Sequence, residues 1–343
     1  MRGNALKHIV ETRRYSAAEY HAAVPEVISL VRQVVGQAAR VSVIPAYRTK
    51  ADFGDMDVLV ESSGYDTHDF RARLLKAFRA PDLVANGSVY SVPHGDLQVD
   101  LISASPKAFD FCHGYFSFND LGNLIGRTAH KQGMSFGHDG LRFALRDGDY
   151  KFRDITVTRD FDEALDFLGY DAPRFSQGFD VIEEIFDYVA DGDYFNRDIY
   201  LLDNRNAVSR IRDSKRKTYM EFLRWCEETP SLPAFAYPGD KSVWIPRIRQ
   251  RFADFGPALD AAEADLAVQR AVKSKFSGEY VRSITGLDGK ELGGLMQRIR
   301  ESFPDRPAMQ SFVLASDDET VKAYVFQMRE VDAAAPRPVR PRP

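Results

Sequence analysis

The stretch FGDMDVLVES, residues 53–62, places Asp55 and Asp57 one residue apart within a run of strand-forming apolar residues. Side chains alternate across a β-strand, so the two carboxylates would share one face while Met56 and Val58 lie on the other. Neighbouring carboxylates in a partly buried position repel each other, and a divalent cation relieves that repulsion. The pattern favours a cation site on a sheet, although a D-x-D pair on a surface strand is also common by chance.

A second stretch, SVYSVPHGDLQVDLIS at residues 88–103, predicts a hairpin, because two strand-like runs flank a Pro-His-Gly-Asp turn. Asp100 lies between Val99 and Leu101 in the second run. If that strand pairs beside the first, three carboxylates converge, which suffices to hold two metal ions for an in-line displacement at phosphorus. From spacing alone, a metal site and a chance arrangement of acidic residues stay about equally open.

The composition is that of a globular protein, with 343 residues, 44% hydrophobic and 28% charged, and this length suggests about two domains. No apolar run approaches the roughly 18 residues of a membrane span, and the N-terminal residues lack the apolar stretch of a secretory signal. The two cysteines, Cys112 and Cys226, form no metal-binding spacing, so a cytoplasmic location is expected. A net charge of −4 argues against a wholly basic nucleic-acid binder but permits a local basic patch.

The two aspartate motifs, GDMDVLV (54–60) and GDLQVDLIS (95–103), together resemble the palm of the polymerase-β nucleotidyltransferase superfamily, most closely the X-family DNA polymerases. The segment GYFSFNDLGNLIGRTAHKQGMSFGHDGL (114–141) is similar to the nucleotide-binding segment of that family. The likeness covers residues 40–170 in outline. It implies an α+β fold, in which a nucleotidyltransferase palm (a small mixed β-sheet with helices on one face) is followed by a mostly helical C-terminal domain.

Four parts are expected along the chain. Residues 1–104 would form the palm with an N-terminal helix, and residues 105–173 a thumb-like segment that binds the nucleotide. Residues 174–332 would form a helical domain suited to acceptor binding. The Pro/Arg-rich tail at 333–343 has nothing to bury and is expected to be disordered.

The resemblance also implies the roles of individual residues. Asp55, Asp57 and Asp100 would be catalytic and would hold two Mg²⁺ ions, with Mn²⁺ as a substitute. Asp100 would also help to activate the attacking 3′-hydroxyl. Arg48 falls where the family places a triphosphate-binding arginine, and Gly54 would let the backbone approach the phosphates.

The nucleotide-binding segment carries four further expectations from the resemblance. Tyr115 and Phe116 would shape the sugar pocket, Asp120 would pack near the base, and Asn123 would meet the base edge. Taken without the resemblance, the aromatic pair is more typical of a hydrophobic core, and an asparagine commonly satisfies a local turn.

The expected function is that of a magnesium-dependent, DNA polymerase X-like nucleotidyltransferase. It would transfer a nucleoside monophosphate from an NTP or dNTP to the 3′-hydroxyl of a nucleic acid, with release of pyrophosphate. A basic cluster at residues 205–217, with aromatic residues close behind, predicts contact with a DNA or RNA acceptor. A solvated amphipathic helix explains the same charges about equally well. Neither a membrane nor a protein partner is expected.

Three departures from the family pattern keep alternatives open. Ile44-Pro45 stands where the family has a phosphate-binding Gly-Ser, and proline has no N–H to donate, so triphosphate binding would be reorganised around Arg48 and Lys50. Phe118 stands at a family glycine, and too few residues precede position 40 for the family's DNA-gripping modules. The alternatives are transfer to a protein side chain or small molecule, and a nucleic-acid-binding protein whose catalytic site has lapsed.

Overall fold

The computed structural model describes residues 5–62 and 67–334, and these fall into two compact units. The N-terminal unit contains the described residues up to Ala144 together with Asp154–Gly256. The C-terminal unit contains Leu145–Arg153 and the described residues from Pro257 onward. The boundaries expected near residues 104 and 173 both lie inside the N-terminal unit.

Seven strands form the first two sheets, and their bounds are β1 (Tyr15–Ser16), β2 (Val41–Val43), β3 (Asp52–Phe53), β4 (Asp55–Glu61), β5 (Val84–Asn86), β6 (Val89–His94) and β7 (Leu97–Ala104). The short strands β1 and β3 pair with each other. The other five form a mixed sheet of order β2-β4-β7-β6-β5, in which only β4 and β7 run parallel. The hairpin expected at residues 88–103 is confirmed as β6 and β7.

Two helices, α1 (Ala17–Val35) and α2 (Thr67–Phe78), cover one face of this mixed sheet. Val27 and Val31 lie one helical turn apart on α1 and pack in the same buried cluster as Val58 and Val99 of the sheet. Ser16 caps α1 through a capping box with Glu19, and the helix continues through Pro25 without ending there.

The opposite face of the sheet is partly covered by α3 (Phe109–Phe116). Phe109 and Cys112 of this helix form a buried cluster with Leu59 and Ile102. These two strand residues lie on the same face as Asp57 and Asp100, two positions further along their strands. The expectation of helices on one face therefore describes α1 and α2. The helix α3 covers part of the opposite face, because the strand residues that follow the aspartates on that face are apolar.

A further sheet and further helices follow α3. The helix α4 (Leu121–Lys131) leads into a three-stranded sheet of order β10-β9-β8, built from β8 (Met134–Gly137), β9 (Gly140–Asp147) and β10 (Tyr150–Thr158). The following helices are α5 (Phe161–Phe167), α6 (Ala172–Gln177), α7 (Ile182–Ala190), α8 (Ala207–Asp213), α9 (Lys217–Glu228) and α10 (Ile245–Arg251). All of these elements belong to the N-terminal unit except Leu145–Arg153, where β9 ends and β10 begins.

The last five helices are α11 (Phe255–Lys275), α12 (Gly278–Thr285), α13 (Gly289–Glu301), α14 (Arg306–Ala315) and α15 (Asp318–Ala334). The C-terminal unit has its own core, in which Val281, Leu295, Val313 and Val325 are buried together. The chain is thus α+β with small mixed sheets and a helical C-terminal part, as expected. Among the helices described above, none combines sufficient length with the hydrophobicity that crossing a bilayer requires. The Pro/Arg-rich tail beyond Ala334 lies outside the described residues.

Candidate active site

The three predicted catalytic aspartates lie on one face of the mixed sheet. The strands β4 and β7 are parallel neighbours, with Asp57 opposite Asp100 and Asp55 opposite Gln98. Partners in such a pair lie on strands about 4.8 Å apart and point to the same side of the sheet. All three carboxylates are half-buried, whereas the alternating residues Met56 and Val99 are fully buried on the other face. The pairing on which the convergence of the three carboxylates depended is therefore present.

Asp100 is oriented by neutral hydrogen-bond donors. Gln98 Nε2 donates to both carboxylate oxygens of Asp100, at 3.0 and 2.9 Å, and Ser91 on β6 bonds to the same carboxylate. The buried Gln98 is itself fixed, because its Oε1 accepts from the backbone N–H of Ala5 at 3.0 Å. Within the described parts of the chain, no three His, Cys, Asp or Glu side chains are grouped closely enough to hold a metal ion. The structure places the predicted ligands on one face without showing a metal centre.

The electrostatics of this face disfavour the ionised carboxylates. Burial, followed by repulsion from Asp55 and Asp100, raises the pKa of Asp57 to about 7. Burial also raises the pKa of Asp55. It does the same to the pKa of Asp100, where the hydrogen bonds from Ser91 and Gln98 act in the opposite direction. Hard oxygen donors with surplus negative charge are what Mg²⁺ prefers, so the chemistry of this donor set suits the predicted metal, while the spacing of the three carboxylates in the described structure is too wide to hold one ion.

Lys50 supplies positive charge beside the carboxylates. Burial lowers the pKa of Lys50, while the charges of Asp55 and Asp57 act in the opposite direction. Its Nζ lies 4.5 Å from the centre of the Phe53 ring and 3.4 Å from Asn119 Oδ1. Lys50 therefore connects the carboxylates to the turn between α3 and α4, which is part of the predicted nucleotide-binding segment.

Arg48, the predicted triphosphate ligand, is exposed and contacts the segment before α7. Its Nη1 lies 2.5 Å from Asp180 Oδ1, and its Nη2 donates to the carbonyl of Gln177. The backbone N–H of Arg48 bonds to the carbonyl of Phe179 at 2.9 Å. Gly54, the predicted point of backbone approach, lies between β3 and β4, directly before Asp55.

The turn between α3 and α4 contains two non-glycine residues in the left-handed region. Phe118 has φ 59° and Asn119 has φ 62°. The N–H of Phe118 bonds to the carbonyl of Pro45 at 2.8 Å, and its buried ring packs against Phe175 and Phe179. Phe118 thus keeps a backbone conformation that glycine adopts freely, and tertiary contacts hold it there.

Tyr115 and Phe116 end α3 and are both half-buried, with ring centres 5.1 Å apart in an edge-to-face arrangement. Gly122 of α4 makes a very close approach to this helix end, because a Cβ there would lie 2.2 Å from the carbonyl oxygen of Tyr115. The contact between α3 and α4 therefore sets the position of Tyr115.

The two predicted base-contacting residues interact with the end of α8 and with the segment that joins α8 to α9. Asp120 forms an ion pair with Arg216 Nη1. Asn123 Oδ1 accepts from Arg212 Nη2 at 3.4 Å, while Asn123 Nδ2 is buried without a hydrogen-bond partner in the described structure. The nucleotide-binding segment and the basic cluster, predicted separately, lie against each other.

The basic cluster at residues 205–217 is divided between inward and outward charges. Arg205 Nη2 and Asp213 Oδ2 form a fully buried ion pair of 2.7 Å, and Arg212 Nε lies 2.9 Å from Asp213 Oδ1. Arg210 Nε donates to the carbonyl of Leu202 at 3.2 Å, whereas Lys217 is almost fully exposed. The cluster does not lie on one continuous helix, because the chain breaks between α8 and α9 at the residues that follow the buried Asp213.

The sequence matches no protein-family model and no curated protein. Gln98 was not identified as a site residue from the sequence. Its position two residues before Asp100 on an apolar strand could have indicated that the two side chains share a face. The pairing of Arg216 with Asp120 had no local signal, because these residues are 96 positions apart.

Proposed function

We propose that this chain is a magnesium-dependent nucleotidyltransferase with a nucleotidyltransferase palm. It would transfer a nucleoside monophosphate from an NTP or dNTP to the 3′-hydroxyl of a nucleic acid and release pyrophosphate. The observation that supports the proposal is the arrangement of Asp57 opposite Asp100 on parallel neighbouring strands, with Asp55 on the same face. The resemblance to X-family palms assigns the same chemistry to these three residues.

In the proposed reaction, the 3′-oxygen of the acceptor attacks the α-phosphorus. A new P–O bond forms as the bond to the bridging oxygen breaks, and pyrophosphate leaves with the electron pair. Asp100, held by Gln98 and Ser91, helps to take the proton of the hydroxyl group. Asp55, Asp57 and Asp100 would hold Mg²⁺, which when bound neutralises charge on the reacting phosphates.

The chain's own cations and aromatic rings position the nucleotide in this proposal. Lys50 offers a fixed positive charge next to the carboxylate face, where the phosphates would lie. Arg48 would exchange Asp180 for the triphosphate, and an exposed ion pair of this kind is worth only about 0–1 kcal/mol. Tyr115 and Phe116 would border the sugar, with Asp120 and Asn123 near the base.

The test is incorporation of each of the eight labelled NTPs and dNTPs, with Mg²⁺, on single-stranded, duplex and tRNA-like acceptors. Asp57→Asn and Asp100→Asn should each lower the rate by about a thousandfold, since charge stabilisation is the largest catalytic contribution. Glu61→Gln is the matched control, because Glu61 lies on the same strand and binds Arg40 at 2.6 Å, away from the aspartates. Incorporation at the wild-type rate by both aspartate variants would rule the proposal out.

A second acceptor class is favoured by the contacts that several cations of the basic cluster make within the protein. Arg205, Arg212 and Arg216 contact carboxylates and Asn123, which leaves fewer charges facing outward for a nucleic-acid strand. Transfer to a protein side chain or small molecule is the corresponding alternative. Incubation with α-labelled ATP and a protein mixture should then label protein and leave oligonucleotides at their original length.

A further inference from the structure

Positive charge is in excess where α4 meets the junction of α8 and α9. Four guanidinium groups and two carboxylates interact there, from Arg127, Arg205, Arg212, Arg216, Asp120 and Asp213. Asp213 is shared by two of the arginines and Asp120 pairs with a third. A partly buried surplus of like charge is costly unless an anion compensates it.

The same place holds buried donors that lack acceptors. Asn123 Nδ2, Arg127 Nε and Arg205 Nη1 are buried, and nothing in the described part of the chain accepts a hydrogen bond from them. Burial, followed by the charge of Arg205, lowers the pKa of Arg127 to about 10. Buried donors are nearly always satisfied in folded proteins, so a cluster of three donors without protein acceptors is a place where ordered water or a bound ligand supplies them.

This cluster borders the proposed catalytic face. Arg216 and Arg212 act on the Tyr115 hydroxyl, lowering a pKa that burial raises. Asp120 directly follows Asn119, whose side chain accepts from Lys50 beside the carboxylates. A ligand in the cluster would therefore lie close to a nucleotide bound at the catalytic face.

We propose that Asn123, Arg127, Arg212 and Arg216 form a phosphate-binding pocket, which we call the arginine pocket. It would hold a phosphate group additional to those at the catalytic face, from the nucleotide donor or from the acceptor strand. Guanidinium groups suit this ligand, because they bind phosphate oxygens in bidentate fashion and remain charged. The proposal builds on the proposed function for the identity of the ligand, and the pocket itself rests on the surplus charge and the unsatisfied donors.

The experiment compares Arg212→Gln with Arg224→Gln in the full chain, in metal-free buffer containing a chelator. Arg212 reaches Asn123, whereas Arg224 is exposed on α9 outside the cluster. Three probes are titrated, namely inorganic pyrophosphate, a non-hydrolysable NTP analogue and a labelled single-stranded oligonucleotide. We expect Arg212→Gln to bind about tenfold more weakly, as fits the loss of one charge-assisted hydrogen bond, and Arg224→Gln to bind like the wild type.

The probes identify the source of the phosphate. If Arg212→Gln loses affinity for the NTP analogue, the pocket binds a phosphate of the nucleotide donor. If Arg212→Gln loses affinity for the oligonucleotide, the pocket binds a phosphate of the acceptor strand. In that case the slope of log affinity against log salt concentration should also fall by about 0.7, the value for one phosphate of a single strand. Arg127→Met repeats the test from α4 while keeping an unbranched side chain in place.

Equal affinities of Arg212→Gln and Arg224→Gln for all three probes would overturn the pocket. The proposed function has its own test. If Asp57→Asn retains wild-type incorporation, the proposed function fails, whatever the phosphate affinity of Arg212→Gln. Phosphate binding that depends on Arg212 in a protein without transferase activity would leave the pocket standing and remove the enzyme.

Discussion

Two glycines of α4 offer a direct test of how the structure positions Tyr115. A Cβ added to Gly122 would lie 2.2 Å from the carbonyl oxygen of Tyr115, whereas the nearest atom to a Cβ on Gly126 is 3.8 Å away. Backbone cannot yield as a flexible side chain does, so Gly122→Ala must move α3 and α4 apart by about 1 Å, an overpacking change that costs roughly 3 kcal/mol. The better helix propensity of alanine returns about 1 kcal/mol, so the expected loss of unfolding free energy is about 2 kcal/mol. Gly126→Ala should instead gain up to about 1 kcal/mol.

Urea unfolding followed by tryptophan fluorescence measures this difference. The two tryptophans, Trp225 and Trp244, both belong to the N-terminal unit, so their signal reports the unit that contains α3 and α4. Nucleotide binding should weaken with Gly122→Ala and stay unchanged with Gly126→Ala. If Gly122→Ala proves as stable as Gly126→Ala, the close approach of α4 to Tyr115 is refuted.

Three further substitutions test the charges of the site. In metal-free buffer the pKa of Asp57 is about 7 when folded and about 3.9 when unfolded. The folded state therefore loses stability through this group as the pH rises from about 4 to about 7. In urea unfolding, Asp57→Asn should be more stable than the wild type by up to about 4 kcal/mol at pH 8. Near pH 4 the two proteins should be equally stable. Lys50→Met should leave the unfolding free energy nearly unchanged and lower kcat/KM for the nucleotide by about tenfold or more, measured by initial rates. Asp213→Ala leaves the buried Arg205 without its partner and should cost about 3–5 kcal/mol of unfolding free energy, while Asp213→Leu combined with Arg205→Met should recover most of it.

Each of these results has an outcome that contradicts it. A stability difference for Asp57→Asn that does not change with pH would mean that Asp57 ionises normally in the folded protein. Wild-type kcat/KM for Lys50→Met would remove Lys50 from the phosphate site. A double variant at Asp213 and Arg205 that is as unstable as Asp213→Ala alone would show that the pair does more than neutralise two buried charges.

The sheet that carries the aspartates could be predicted because its signals are local. Alternation of polar and apolar residues in β4 and β7 determines which side chains share a face, and it puts Asp57 with Asp55 and Asp100 with Gln98. The Pro-His-Gly-Asp turn predicted the β6–β7 hairpin. The pairing of β4 with β7 needed more than pattern, since it joins strands separated by α2 and a hairpin; the family resemblance implied that the two strands share a mixed sheet, and their parallel direction was not predicted.

Features that depend on distant contacts could not be predicted. Residues 214–216 contain neither proline nor glycine, so helical spacing continued through them, yet the helix breaks after Asp213 enters its buried pair with Arg205. Phe118 adopts a left-handed conformation that its residue type disfavours by about 1–2 kcal/mol, and its hydrogen bond to Pro45 and its contacts with Phe175 and Phe179 hold it there. Tertiary packing overrides the local preference in both cases.

Energetically costly features gather in one part of the N-terminal unit, which argues for a site there. Ionised Asp57 is disfavoured, Phe118 and Asn119 hold a left-handed backbone, and Asn123 keeps a buried unsatisfied donor. Lys50 links these features, since it lies in the field of Asp57 and donates to Asn119. A purely structural role gives no reason for such costs to lie together, because simple substitutions such as Asp57→Asn would relieve them one at a time. The proposed site gives that reason, since a bound cation and phosphate groups would compensate there what the protein alone leaves uncompensated.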